Sequence, residues 1–287
     1  MTTAYRPRRS VLYMPSSNER ALEKAKALGC DALILDLEDA VAPDAKPAAR
    51  DNACAAAKSG EYGRREITIR VNGIGTEWHE ADLAAASAAG PDGIVVPKVN
   101  SPKEVRQLAE AMRDFGAPET TKLWAMIETP EAIFEADKIA RADERLACFV
   151  IGTNDLVKEL QALHVPGRGP VLTALSIALL AARRAGIAIV DGVYNDVKDA
   201  EGFATECRQG REMGFDGKTL IHPGQIDACN AAFSPSESEI EEAEGIVAAW
   251  RDGAGTGVVT YNGKMIERLH VDIAERVLAV HEAVTAG

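Results

Sequence analysis

Two acidic residues stand where chemistry assisted by a hard cation would put them. Lys122-Leu123-Trp124-Ala125-Met126-Ile127 is an apolar, strand-like run that stops at Glu128. Ala147-Cys148-Phe149-Val150-Ile151 is a second such run, leading through Gly152-Thr153-Asn154 to Asp155. A helical pattern comes after each. Carboxylates at the C-terminal ends of consecutive parallel strands lie side by side at one rim of a sheet. Mg²⁺ is commonly held by one or two carboxylates together with waters and substrate oxygens. Glu128 and Asp155 are therefore the expected ligands of one Mg²⁺, with Mn²⁺ as the alternative ion. Helix capping or a salt bridge is the competing role for each, since Thr129-Pro130 also reads as a helix start.

A second acidic group, Asp36, Glu38 and Asp39, lies at and just past the end of the apolar run Ala32 to Leu37. With a period of two, Asp36 and Glu38 share a face. Like charges this close need a cation, a proton or an arginine. They are expected either in structural salt bridges or behind the waters of the metal. Arg70 ends another apolar run, Ile67 to Val71, where an unpaired guanidinium would be costly. It can neutralise the acidic group, and its planar fork also suits a substrate carboxylate or a developing enolate. Lys98 and His222 end two further runs; ion pairing and a structural role are the plain readings, substrate contact the sharper one. Arg6, Arg8, Arg9, Arg20, Lys24, Arg64 and Arg65 form local basic clusters, solvated by default and a polyphosphate site in the sharper reading. No glycine-rich phosphate loop, Ser-His-Asp order or zinc motif occurs.

The elements that would carry these residues alternate. Strands are expected at Val11–Met14, Ala32–Leu37, Ile67–Val71, Gly93–Val96, Lys122–Ile127, Ala147–Ile151, Gly186–Val190 and Gly217–Ile221. Helices are expected from Ser17 to Leu28 with Gly29 as cap, near Pro47–Lys58, and at Trp78–Ala89, Pro102–Phe115, Leu172–Ala185 and Phe203–Met213. Strict alternation implies a parallel sheet with right-handed crossovers. Eight such units favour a closed (β/α)₈ TIM barrel over a doubly wound open sheet, with polar groups gathered at the strands' C-terminal ends. Residues 1–233 are assigned to this barrel. Residues 234–287 form a C-terminal helix–hairpin–helix extension: a capping box at Ser236 and Glu239, a glycine-rich linker at 253–257, a hairpin turning at Asn262-Gly263, and a last amphipathic helix.

Composition narrows the partners. The 287 residues carry a formal net charge of −12, which argues against nucleic acid or an anionic membrane as partner. No apolar run approaches the roughly 18 residues of a membrane span, and the basic, polar start does not resemble a secretion signal. Cys30, Cys54, Cys148, Cys207 and Cys229 are odd in number and widely spaced, which fits free thiols in the cytoplasm.

An ordered set of short motifs points further. Ser10-Val11-Leu12-Tyr13-Met14-Pro15 with Asn18-Glu19-Arg20, Leu35-Asp36-Leu37-Glu38-Asp39-Ala40-Val41 and Arg70-Val71-Asn72 come first. Ile127-Glu128-Thr129, Gly152-Thr153-Asn154-Asp155, Ile221-His222-Pro223 with Gln225-Ile226, and Asn262-Gly263-Lys264-Met265-Ile266 continue in order. Together they resemble the citrate lyase β-subunit-like family over nearly the whole chain. The resemblance implies a TIM barrel, commonly a homotrimer or homohexamer, that uses Mg²⁺ on 3-hydroxyacyl-CoA thioesters. It implies Glu128 and Asp155 as metal ligands, Arg70 as catalytic and substrate-binding, and Asn154 beside the substrate. CoA is expected along the barrel mouth, with Arg20, Lys24, Ile221 and His222 as contacts, and a neighbour's C-terminal extension is expected to close the site. The implied reaction is retro-Claisen cleavage of malyl-CoA, methylmalyl-CoA or citramalyl-CoA to a 2-oxo acid and an acyl-CoA. One departure bears on it: Glu267 stands where the family's lyases usually carry the aspartate that serves as acid/base in the neighbour's site. The added methylene displaces that carboxyl, and a misplacement of about 1 Å can cost about 100-fold. A thioesterase acting on (3S)-malyl-CoA, and a citrate lyase β-type subunit acting on a carrier-protein thioester, are the alternative expectations.

Overall fold

The structure, a computed structural model, describes residues 5–253 and 257–286. Residues 254–256 of the expected linker lie outside the described residues. The chain divides into two compact units, one spanning Arg8–Ala232 and the other comprising the chain from Phe233 onward with the residues before Arg8.

In the larger unit, β1 (Ser10–Pro15) leads to α1 (Glu19–Ala25), β2 (Ala32–Asp36) to α2 (Lys46–Ser59), and β3 (Glu66–Arg70) to α3 (His79–Ala89). Next come β4 (Gly93–Val96), α4 (Pro102–Asp114), β5 (Lys122–Ile127), α5 (Pro130–Ala140), β6 (Leu146–Ile151), α6 (Thr153–Glu159) and α7 (Leu172–Ala185). The series ends with β7 (Ala188–Asp191), α8 (Ala200–Met213), β8 (Gly217–Leu220) and α9 (Ile226–Phe233). The strands pair in parallel in sequence order, and β8 returns to β1 to close the barrel. The expected (β/α)₈ TIM barrel is the fold observed.

The interior reflects strand alternation. Val11, Ile34, Val95, Trp124, Met126, Val150 and Val190 meet in one buried cluster, with Tyr13 packed against it. Local signals also hold. Ser101 and Glu104 form a reciprocal capping box, with Pro102 in the first turn of α4. Among the described residues, no helix is long and apolar enough to cross a membrane. All five cysteines are free thiols.

Several boundaries differ from expectation, α8 for instance starting at Ala200 rather than Phe203, and three of the differences bear on helix caps or on the site. The first helix ends at Ala25 and caps on Lys26 rather than running to a glycine cap at Gly29. Gly186 is the left-handed cap of α7, so β7 starts two residues later than the apolar run suggests. Asp155 is not on a strand end. The chain leaves β6 at Ile151, and Asp155 sits in the first turn of α6, a helix too short for its periodicity to stand out in the sequence.

In the second unit, α10 (Glu237–Asp252) starts at the Ser236–Glu239 capping box, whose two reciprocal bonds both form. β9 (Val259–Tyr261) and β10 (Lys264–Ile266) pair antiparallel across Asn262-Gly263, both in the left-handed region that a tight hairpin turn requires. α11 (Arg268–Thr285) closes the unit.

Candidate active site

The acidic group after β2 is organised by one arginine. Asp36 and Arg70 are register partners across β2 and β3. Arg70 Nε and Nη2 donate to Asp36 Oδ1 and Oδ2, both at 2.6 Å. The backbone N–H groups of Glu38 and Ala40 donate to the same carboxylate. Arg70 Nη1 meets Glu38 Oε2 at 2.6 Å and Asp39 Oδ2 at 3.3 Å. The guanidinium also lies 4.8 Å from the centre of the Tyr13 ring. Burial is the largest influence and works against its charge, but Asp36, Tyr13 and Glu38 together outweigh it and raise its pKa above the ordinary value. Lys46 steadies the loop, donating to the carbonyls of Leu37 (2.8 Å) and Glu38 (3.0 Å) while lying over the Trp78 ring.

Glu128 comes directly after β5 and is 2 % exposed. It does not cap α5: that is Thr129, whose hydroxyl accepts from the Ala132 N–H. The capping alternative for Glu128 is thereby removed. Lys98, just past β4, adopts a left-handed backbone (φ 51°) that is uncommon for a residue with a side chain. Its backbone N–H donates to Glu128 Oε1 at 2.8 Å, and its ammonium lies 3.4 Å from Asp155 Oδ1. One lysine thus touches both expected metal ligands.

Burial, and then the charge of Asp155, push the Glu128 carboxyl up to about 7. Burial raises Glu38 to about 7 as well; Arg70 opposes this, while Asp39, Glu128 and Asp36 add to it. Gly152 makes room for this arrangement. A Cβ there would sit 2.5 Å from the Glu128 Cβ and closer still to Oε2. A carboxyl raised by burial and by the charge of Asp155, in a cradle that a Cβ would fill, is a place where a cation would be stabilised. Both expected ligands offer oxygen, which suits Mg²⁺ rather than zinc. Among the described residues, no three His, Cys, Asp or Glu side chains form a ready-made metal cage. Two carboxylates with the remaining positions left to water and substrate is the usual Mg²⁺ arrangement.

Beside these residues opens a cavity of about 580 Å³, its walls including Glu38, Lys98, Asn72, Asn100, Ile74 and Trp78. Its lining is partly polar and charged, partly apolar.

The other expected contacts are placed as follows. Asn154 is exposed and exchanges two amide hydrogen bonds with Asn195. Arg20 and Lys24 are exposed, one turn apart on α1. Ile221 is 42 % exposed, and the His222 ring accepts from the Gly224 N–H, closing a short turn. Glu267 belongs to the second unit; it is exposed, and its N–H donates to His270 Nδ1 at the start of α11.

Several residues carry more than the sequence announces. Tyr13 is legible there as a strand position within a motif, with no role of its own, yet it stacks on Arg70. Gly152 reads as part of a motif rather than as space for Glu128. A second buried charge network has no clear counterpart in the sequence patterns: Asp191 binds Arg168 at 2.6 Å and Lys218 at 3.2 Å, and Lys218 also binds Glu206 at 2.7 Å. Burial alone would raise Asp191, but Lys218 and Arg168 hold its pKa below the ordinary value. Asp191, a charge at the end of the apolar run Gly186–Val190, and Lys218, a charge inside a strand, are the available signals.

The HpcH/HpaI aldolase/citrate lyase family matches residues 9–223. The chain is 48 % identical to the (3S)-malyl-CoA thioesterase of Cereibacter sphaeroides over 282 residues, covering 98 % of this chain and 96 % of that protein. It is 37 % identical to citrate lyase subunit beta of Escherichia coli over 281 residues, covering 96 % and 93 %. Its fold matches the crystal structure of the Mycobacterium tuberculosis protein CitE in complex with magnesium, acetoacetate and coenzyme A. That match has a TM-score of 0.79 and 30 % identity, over 96 % of this chain and 97 % of that one. The chain belongs to the HpcH/HpaI aldolase/citrate lyase family.

Proposed function

We propose that this protein is a Mg²⁺-dependent acyl-CoA enzyme that hydrolyses (3S)-malyl-CoA, or a closely similar 3-hydroxyacyl thioester, to the hydroxy acid and free CoA. The observation that carries the reading is the buried Glu128 carboxyl with Asp155 beside it, joined through Lys98 at the barrel mouth. The 48 % likeness to a (3S)-malyl-CoA thioesterase along almost the whole chain supports the substrate and the reaction. Magnesium and coenzyme A in the CitE complex support the metal and the thioester carrier.

Glu128 and Asp155 would hold the ion. Bound there, Mg²⁺ supplies a Lewis acid and a template for substrate oxygens. Arg70 is held by Asp36 through Nε and Nη2 and by Glu38 through Nη1, so a substrate carboxylate or developing negative charge would reach this fork only by taking the place of Glu38 on Nη1. Hydrolysis needs a base to take a proton from the water that attacks the thioester carbonyl, and the CoA sulfur leaves as the thiol. Glu38, on the cavity wall and titrating near 7, is suited to that role. Glu267, offered by a neighbouring copy in a homotrimer or homohexamer, is the other carboxylate for it.

Retro-Claisen cleavage is the second reading. It is favoured by the likeness to citrate lyase β subunits and by Glu267, which keeps a carboxyl where the family's lyases place their aspartate. Malyl-CoA incubated with the protein and Mg²⁺ separates the two. Malate and free thiol are expected; glyoxylate and acetyl-CoA would mean a lyase. No turnover of any CoA ester by the isolated chain would leave a subunit acting on a carrier-protein thioester. Glu38→Gln and Glu267→Gln, assayed separately, identify the base: the variant that loses turnover while keeping Mg²⁺ affinity carries it.

A further inference from the structure

Arg70 and Lys98 are two cations set among the carboxylates of this rim, and they are held very differently. Arg70 is buried, and its Nε, Nη1 and Nη2 all face carboxylates at 2.6 Å. It is a fixed part of the wall. The Lys98 side chain is 46 % exposed, and its ammonium meets Asp155 at the looser distance of 3.4 Å. Its backbone does something separate: the Lys98 N–H donates to Glu128 whatever the side chain does. The residue therefore orients one carboxylate through its main chain and screens the other through a long, half-exposed side chain.

We propose that the Lys98 ammonium is a displaceable occupant of the cation site, neutralising Asp155 when no metal is bound and leaving that contact when a dication enters. The proposal rests on the metal reading above and adds to it the residue that sets metal affinity. An ammonium and a dication cannot both sit close to Asp155 without strong repulsion. Of the two, the ammonium is the one on a flexible four-carbon stem with an open cavity beside it. Metal entry then has a second consequence. The displaced ammonium becomes available on the cavity wall, which Asn72 and Asn100 also line, to an anionic group of the substrate. Metal binding and substrate binding become linked through one side chain.

The experiment is Mg²⁺ titration of the full-length protein by calorimetry, without substrate, for wild type, Lys98→Met, Lys98→Gln and Lys98→Arg. Far-UV circular dichroism checks the fold of each variant. Removing a unit positive charge next to a dication site tightens Mg²⁺ binding by roughly tenfold in the two neutral variants. Lys98→Arg stays within about twofold of wild type, because it keeps the charge. Unchanged or weaker Mg²⁺ binding in folded Lys98→Met and Lys98→Gln, with normal binding in wild type, overturns the Lys98 proposal alone. So does Lys98→Arg tightening binding as much as the neutral variants do. Absence of Mg²⁺ binding in wild type and in every variant overturns the proposal together with the metal reading.

Discussion

Asp36 and Arg70 face each other as register partners across β2 and β3 and close a two-pronged ion pair, each prong 2.6 Å long. The pair is buried, so neither charge can be given back to water when the other is removed. The rest of this acidic group leans on it: Glu38 and Asp39 gather on Nη1, and Tyr13 stacks on the guanidinium.

Removing Asp36 should therefore cost stability as well as activity. Asp36→Ala leaves a buried guanidinium short of its main partner, and we expect a loss of roughly 3–5 kcal/mol in urea unfolding. Arg70→Lys keeps a charge but not the fork. It should retain most of the stability and lose at least about 100-fold in kcat/KM, the scale of one transition-state donor. Wild-type unfolding of Asp36→Ala would show that the pair is not what holds this rim.

Gly152 lets the chain pass over the Glu128 carboxylate. Gly152→Ala should keep the barrel, judged by circular dichroism, yet weaken Mg²⁺ binding by at least about tenfold, because the Cβ displaces Glu128 from the orientation that Lys98 fixes. Calorimetry of the variant with Mg²⁺ is the measurement. Affinity equal to wild type would remove Glu128 from the metal site.

The elevated carboxyls predict a pH signature with a definite sign. Glu38 and Glu128 titrate near 7 in the folded protein, against an ordinary value of 4.5. Between those values the folded state binds more protons than the unfolded state. The metal-free protein therefore loses stability as pH rises from about 4.5 to 7, by up to about 3 kcal/mol for Glu128. Glu128→Gln should flatten that fall in a thermal-melt series. Mg²⁺ should reverse it, raising the melting temperature more at pH ~8 than at pH ~5.5, because ion and proton compete for the same oxygens. A Mg²⁺ effect that is equal at both pH values would contradict this.

The amino-acid order by itself determined the architecture. Eight apolar runs alternating with helical patterns admit few arrangements once crossovers must be right-handed, and the capping box at Ser236 and the Asn262-Gly263 turn are purely local devices. It also singled out Glu128, Asp155 and Arg70, because a charge at the end of an apolar run is conspicuous. Tertiary structure decided what those charges meet. That Arg70 is already shared by Asp36, Glu38 and Asp39 depends on the register of two strands whose partners lie 34 residues apart in sequence. That Asp155 sits on a short helix rather than a strand end depends on where β6 gives way. Lys98 reads in the sequence as an ordinary ion-pairing lysine, and only its left-handed backbone places it on both Glu128 and Asp155. Electrostatic partners lie far apart along the chain, and no periodicity records them; only the closing of the barrel brings them within hydrogen-bonding distance.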